Sequence, residues 1–238
     1  MSKSSLFELC ADSLESARAA QAGGADRLEL CEELAIGGLT PRHSLLRAVL
    51  DEVSIPVHVL VRPRGGDFVY TSAEFRRICE EIEHSKSAGA AGVVIGVLRA
   101  DGEVDVERTR ELAALARPMK VTFHRAFDET NDQEQALEDV ILTGADSLLT
   151  SGGAANVLEG SEQIGRLNKQ AAGRIEIIAG GGLRLASLVE VVRRSRVTRL
   201  HGSLSRPMAS GADGRALLEG DIREAMRLLQ QECLEAAC

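Results

Sequence analysis

Short apolar, often β-branched runs recur along this chain, and most end in a polar cluster. Candidate strands occupy 6–10, 27–31, 57–61, 92–96, 120–124, 147–150, 175–179 and 198–201, spaced close to the roughly 30 residues of a strand–helix unit. Helical patterns fill the gaps. The clearest span 13–22, 72–88, 105–116, 132–143, 183–195 and 220–234. The first has Asp12 or Ser13 as a cap and stops before Gly23-Gly24, and the second has Ser/Thr ahead of it and Gly89 behind. Eight strands each followed by a helix predict a (β/α)8 TIM barrel, because right-handed crossovers close such a series naturally. A doubly wound open sheet is the structural alternative, since periodicity does not show closure. No low-complexity linker divides the chain, so 1–238 reads as a single TIM-barrel domain. The segment 203–220, rich in Ser, Ala and Gly, reads as an irregular loop before the last helix.

Composition narrows the classes of function. The chain has 238 residues, 44% hydrophobic, with no Trp and a single Tyr, so aliphatic side chains must supply most of the packing. A net charge of −8 argues against a general nucleic-acid surface or a membrane-docking patch. No apolar run reaches the length of a membrane span, and the polar start Met1-Ser2-Lys3-Ser4-Ser5 is unlike a signal peptide, which points to the cytoplasm. Five cysteines without a closely spaced pair argue against a disulfide framework. Cys79, Cys233 and Cys238 read as small core residues or exposed thiols.

Cys10 and Cys31 differ, because each closes a repeated tripeptide: Glu8-Leu9-Cys10 and Glu29-Leu30-Cys31. Alternation sets each Glu and Cys on one face of its strand. Parallel neighbours run about 4.8 Å apart, so two terminal thiols could share one soft ion such as Cu(I), and should then be reachable from solvent. The plainer reading is a pair of small barrel residues. Glu8 and Glu29 would point into the barrel, with Arg62 as the expected partner in a buried ion-pair network, or would serve as general acid or base.

Other strand ends add charge and donors. Arg62-Pro63-Arg64-Gly65-Gly66-Asp67 offers two forked guanidiniums suited to carboxylate or phosphate, with Asp67 expected to pair with one of them. His124-Arg125-Ala126-Phe127-Asp128 places an imidazole at a strand tip with a carboxylate four residues on, and His201 ends the last strand. His43, His58 and His84 lack such placement and read as structural. Ser151-Gly152-Gly153, Gly180-Gly181-Gly182 and Gly202-Ser203 follow strands six to eight, where barrels commonly bind phosphate through backbone N–H groups.

Together these motifs resemble the copper homeostasis protein family CutC, distinct from the choline-cleaving glycyl-radical enzyme of the same name. The resemblance rests on Gly24-Ala25-Asp26-Arg27-Leu28-Glu29-Leu30-Cys31, Gly37-Gly38-Leu39-Thr40-Pro41, the Arg62–Phe68 segment, Val121–Asp128, Leu149–Gly152 and Ala179–Gly182. It runs from about Phe7 to Ser203, after which the chain departs from the family pattern. It implies a cytoplasmic, generally oligomeric barrel linked to copper tolerance, with Cys10 and Cys31 as the proposed Cu(I) ligands.

The charge pattern supports a second reading, an enzyme acting on a small phosphorylated or carboxylated metabolite. Arg62, Arg64, Arg125, Ser151, Gly181 and Ser203 would bind the anion, and Glu8, Glu29, His124 and Asp128 would be the proton-transfer candidates. Arginines near the rim would repel a metal cation while lowering the pKa of nearby thiols. A nuclease would need a basic track that the net charge opposes. No motif indicates an organic cofactor.

Overall fold

The computed structural model describes residues 5–204 and 214–235. Its strands are β1 (Leu6–Ala11), β2 (Arg27–Leu30), β3 (Val57–Leu60), β4 (Gly92–Ile95), β5 (Lys120–Phe123), β6 (Ser147–Thr150), β7 (Glu176–Gly180) and β8 (Arg199–Gly202). They pair in parallel and in chain order, and β1 bonds to both β2 and β8, which closes the barrel and excludes the open sheet. Helices α1 (Leu14–Gly23), α2 (His43–Glu52), α3 (Ser72–Ala88), α4 (Val106–Ala116), α5 (Gln133–Thr143), α6 (Ser161–Ala171), α7 (Leu188–Ser195) and α8 (Gly214–Glu235) follow the strands in turn. None of the described helices is long and apolar enough to cross a membrane.

The caps explain which helices the sequence announces. Ser13 and Thr71 form capping boxes at α1 and α3, and Gly24 and Gly89 end those helices in the left-handed region, at φ 87° and 95°. Helices α2, α6 and α7 have no side-chain cap hydrogen bond; at α2 and α6 the N-cap positions are Arg42 and Gly160, which give no start signal. The expected loop 203–220 is shorter than its composition suggests. Helix α8 already begins at Gly214, and Gly220 lies inside it rather than before it. Residues 205–213 of that loop lie outside the described residues.

Alternation divides the strands between two cores. Phe7, Leu9, Leu28, Val59, Val121 and Leu200 face the helices in the main apolar cluster. Inside the barrel a second, small cluster joins Cys10, Cys31, Leu60 and Val94. Beside Leu149 and Ile178, the interior also holds many polar groups: Glu8, Arg27, Glu29, His58, Arg62, His124 and His201 are all buried. Inward glycines make room for these rings. A Cβ on Gly92 would stand 2.6 Å from the His58 ring, and one on Gly96 would collide with His124. The structural reading of His58 fits this placement, deep in the interior. His43 and His84 lie outside the barrel, with their rings stacked 3.4 Å apart on α2 and α3.

Two alanine substitutions should therefore act in opposite directions. Gly92→Ala should destabilise by roughly 1–3 kcal/mol, because the His58 ring has no space to yield. Gly220→Ala, where the glycine is exposed and nothing lies within 4 Å of the new methyl, should stabilise by roughly 0.5–1 kcal/mol. Urea unfolding of both variants checks the pair.

Candidate functional site

The deepest charged group is Glu8, which has no exposed surface. Register sets Arg27 directly across on β2 and His201 on β8. Arg27 Nε donates to Glu8 Oε2, and His201 Nδ1–H donates to Glu8 Oε1 at 2.8 Å. His58 Nδ1 stands 3.9 Å from the same carboxylate. The expected partner, Arg62, is not the one used. It sits near the rim, two inward positions beyond His58, the β3 residue that faces Glu8, whereas Arg27 is level with Glu8. Burial opposes ionisation of Glu8, but the His201 hydrogen bond and the Arg27 charge outweigh it and hold the carboxyl well below its usual range. Burial would likewise push His201 down, yet Glu29 and Glu8 raise it. His58 has no such surplus and burial lowers it to about 4.

Glu29 has the opposite balance. Burial, with the Glu8 charge added, lifts its carboxyl to about 7 against the pull of His201 and Arg27. Its Oε2 has no hydrogen-bond partner. Beside it lie the thiols. Cys10 Sγ is 3.6 Å from Cys31 Sγ and 3.8 Å from Glu29 Oε1. Ligand atoms of Cys10, Glu29 and His201 all fall within 4.8 Å of one another. Of the two thiols, Cys10 alone lines the cavity above. Cys31 is fully buried beneath Gly38, whose φ of 85° and lack of Cβ let the loop press onto it. The rim arginines do not lower the Cys10 pKa as expected. The Cys31 contact, burial and the Glu29 charge push it well above the ordinary thiol value.

Above this floor opens a cavity of about 880 Å³ at the C-terminal rim. Arg62, Phe68, His124, Arg125 and Glu129 form much of its wall, and the 3-10 turn Leu34–Ile36 overhangs it. Arg62 Nη1 holds the Ile36 and Gly38 carbonyls and Nη2 holds that of Gly66, while the guanidinium lies over the Phe68 ring. His124 Nδ1 accepts the Ala126 N–H at 3.1 Å, which leaves the proton on Nε2. Burial and the Arg62 charge depress its pKa to about 3, so the ring is neutral at physiological pH.

Other predicted site residues have structural partners. Asp128 accepts from Arg125 Nε, Thr150 Oγ1, the Ser151 N–H and hydroxyl, and the Gly153 N–H, which ties β5 to the loop after β6. Ser151 is buried behind that knot, and its Oγ accepts from Arg125. Gly181, at φ 106°, allows the Arg125 guanidinium to pass where a Cβ would stand 2.9 Å away. Arg64 turns from the cavity to Glu74 and Asp67 at 2.6 and 2.9 Å, so Asp67 does pair with an arginine. Gly181, His201 and Ser203 reach the cavity wall. Sequence reasoning missed Arg27 and Glu129. Arg27 carried a usable signal, since it shares strand parity with Glu29 and Cys31.

Residues 5–206 match the model of the CutC family. The chain belongs to that family. A CutC family protein of Chromobacterium violaceum is 47% identical over 205 residues, covering 86% of this chain and 83% of that protein. The human protein described as a copper homeostasis protein cutC homolog is 45% identical over 206 residues, covering 87% of this chain and 76% of its own length. A CutC structure from Streptococcus agalactiae superposes with a TM-score of 0.79 at 30% identity, covering 85% of this chain and all of that one. An aldolase superposes at 0.67 with 16% identity, a likeness of fold alone.

In this CutC chain the two inner glutamates should have opposite pH signatures. Glu8, with its folded pKa below the unfolded one, contributes stability that is present above the usual carboxylate range and lost in acid. Glu29 ionises first in the unfolded chain, so its contribution falls as pH rises from about 4.5 to about 7. Glu29→Gln should therefore stabilise above pH ~8 by at least about 1 kcal/mol and lose that gain near pH ~4. Glu8→Ala should cost about 3–5 kcal/mol at neutral pH, because Arg27 is left buried without its partner. Urea midpoints measured across that pH range check both. A pH-independent Glu29→Gln effect would contradict the raised carboxyl.

Proposed function

We propose that this chain serves copper homeostasis by holding Cu(I) between Cys10 and Cys31 at the floor of the rim cavity. The observation that carries the reading is the pair of buried thiols 3.6 Å apart on adjacent strands. The donor set suits the ion: two soft sulfurs in an apolar pocket with Leu60 and Val94 favour Cu(I) over a hard cation. Charge supports it as well. The Cys31 contact, burial and the Glu29 charge raise Cys10, and an arriving cation would favour its thiolate against them. His201, whose pKa Glu29 and Glu8 raise against burial, is favoured toward the charged form that would offset the negative charge left when two thiolates hold a monovalent ion. The rim arginines oppose the cation less than their number suggests, because Arg125 is paired with Asp128 and Arg64 with Asp67 and Glu74. The human relative's description as a copper homeostasis protein points the same way.

Anaerobic Cu(I) titration against a competing chelator tests the site. Cys10→Ser/Cys31→Ser should lower the affinity at least about 100-fold, more than the loss usual for residues that merely support a metal ligand. Because Cys10 must give up a proton, affinity in the wild type should rise between pH ~6 and pH ~8. Circular dichroism of each sample is needed alongside, since unfolded cysteines also bind copper. Equal affinity in the folded wild type and the folded double variant would refute the site.

A further inference from the structure

An ion held by two thiols fills only the floor of a cavity of about 880 Å³. That volume lies within the range of sites for small organic molecules. Its upper wall carries polar groups that the copper reading leaves unused. Arg62 is 7% exposed, and its hydrogen-bond acceptors are the backbone carbonyls of Ile36, Gly38 and Gly66. Glu129 on the same wall feels its charge, but among the described residues no carboxylate forms an ion pair or hydrogen bond with it. A buried cation without a counter-charge is costly unless something else supplies one. Close by, His124 is fixed by the Ala126 N–H as the Nε2–H tautomer, and that Nε2 is buried without a partner. The ring is neutral, so it is a donor and not a second cation. Both residues pack on Phe68, with Arg62 4.8 Å and His124 4.9 Å from its ring centre. Arg125 borders the same space, although Asp128 already neutralises it.

We infer that the upper cavity binds a small organic anion, a carboxylate or phosphate ester, whose charged group sits against Arg62 with His124 Nε2–H as a neutral donor. The anion supplies the counter-charge that Arg62 lacks and the acceptor that His124 lacks. Phe68 and the overhanging Leu34 and Ile36 offer an apolar surface to the body of the molecule. This ligand is independent of the thiol pair below it, so either site can fail without the other.

The test uses metal-free full-length protein labelled with ¹⁵N at histidine, titrated separately with inorganic phosphate and with malonate. Before ligand, His124 should show a protonated Nε2 and an unprotonated Nδ1. A saturable shift of its Nε2 resonance is expected with one of the two probes, and that probe identifies the anion class. The shift should weaken at least tenfold in Arg62→Gln and persist in Cys10→Ser/Cys31→Ser. Because Arg62 also anchors three carbonyls, calorimetric titration of His124→Phe, which keeps the ring packing on Phe68, provides a second variant and should show the same weakening. Absence of a saturable shift with both probes in the folded wild type would overturn the proposal. So would undiminished binding in the folded Arg62→Gln or His124→Phe protein, or binding lost only with the two cysteines.

Discussion

Closing a parallel sheet into a barrel seals every second strand residue away from water, and in this chain the innermost of those residues is a carboxylate. Glu8 is tolerable only because Arg27 and His201 meet it from the two neighbouring strands. Register makes this contact possible, since Glu8 stands opposite Arg27 on one side and His201 on the other. The pair also fixes the layer above. With its Nδ1 bonded to Glu8, His201 also keeps a ring nitrogen within 4.8 Å of the donor atoms of Glu29 and Cys10. The chemistry of the rim is thus set one layer below it.

That arrangement divides the interior by electrostatic character. At the floor, burial raises Glu29, and the Cys31 contact with burial raises Cys10, so a further negative charge is disfavoured there. On the wall, burial first and then the Arg62 charge depress His124, so a further positive charge is disfavoured there. A single small ion does not answer both conditions. The separation is maintained by the loop carrying Gly37-Gly38-Leu39-Thr40-Pro41, which Arg62 grips through the Ile36 and Gly38 carbonyls and which covers Cys31. Arg62 thus shapes the cavity as well as charging it.

The barrel was legible in the sequence because its signals are local: apolar runs of strand length, capped helices, regular spacing. Helices α2 and α6 begin with no capping side chain to mark them, whereas α7, equally uncapped, was marked by its apolar pattern and by Gly180-Gly181-Gly182 ahead of it. Helix α8 was cut short because Gly220 looks like a boundary when viewed only along the chain. The tripeptide repeat led correctly to adjacent thiols, since alternation and strand spacing are enough to place them. Partner choice was less legible. Arg62 looked like the partner of Glu8 because it is prominent in its motif, but level within a barrel depends on the stagger between strands, which no single strand encodes. Arg64 was misplaced for a related reason: two residues from Arg62 on irregular backbone do not preserve strand parity, and Pro63-Arg64-Gly65 turns that side chain outward to Glu74.

The two cysteines make the same point at atomic scale. In sequence they are equivalent, each closing a Glu-Leu-Cys tripeptide, yet Cys10 borders the cavity and Cys31 does not. The difference lies in the loop that leaves each strand. After Cys10 the chain passes through Ala11 and Asp12 directly into the capped start of α1, which leaves the sulfur open above. After Cys31 it runs through the 3-10 turn to Gly38, which folds back over the second sulfur. On the proposed copper reading, an ion arriving from the cavity would therefore meet Cys10 first, with Glu29 and His201 at hand, and would reach Cys31 only from inside the pair.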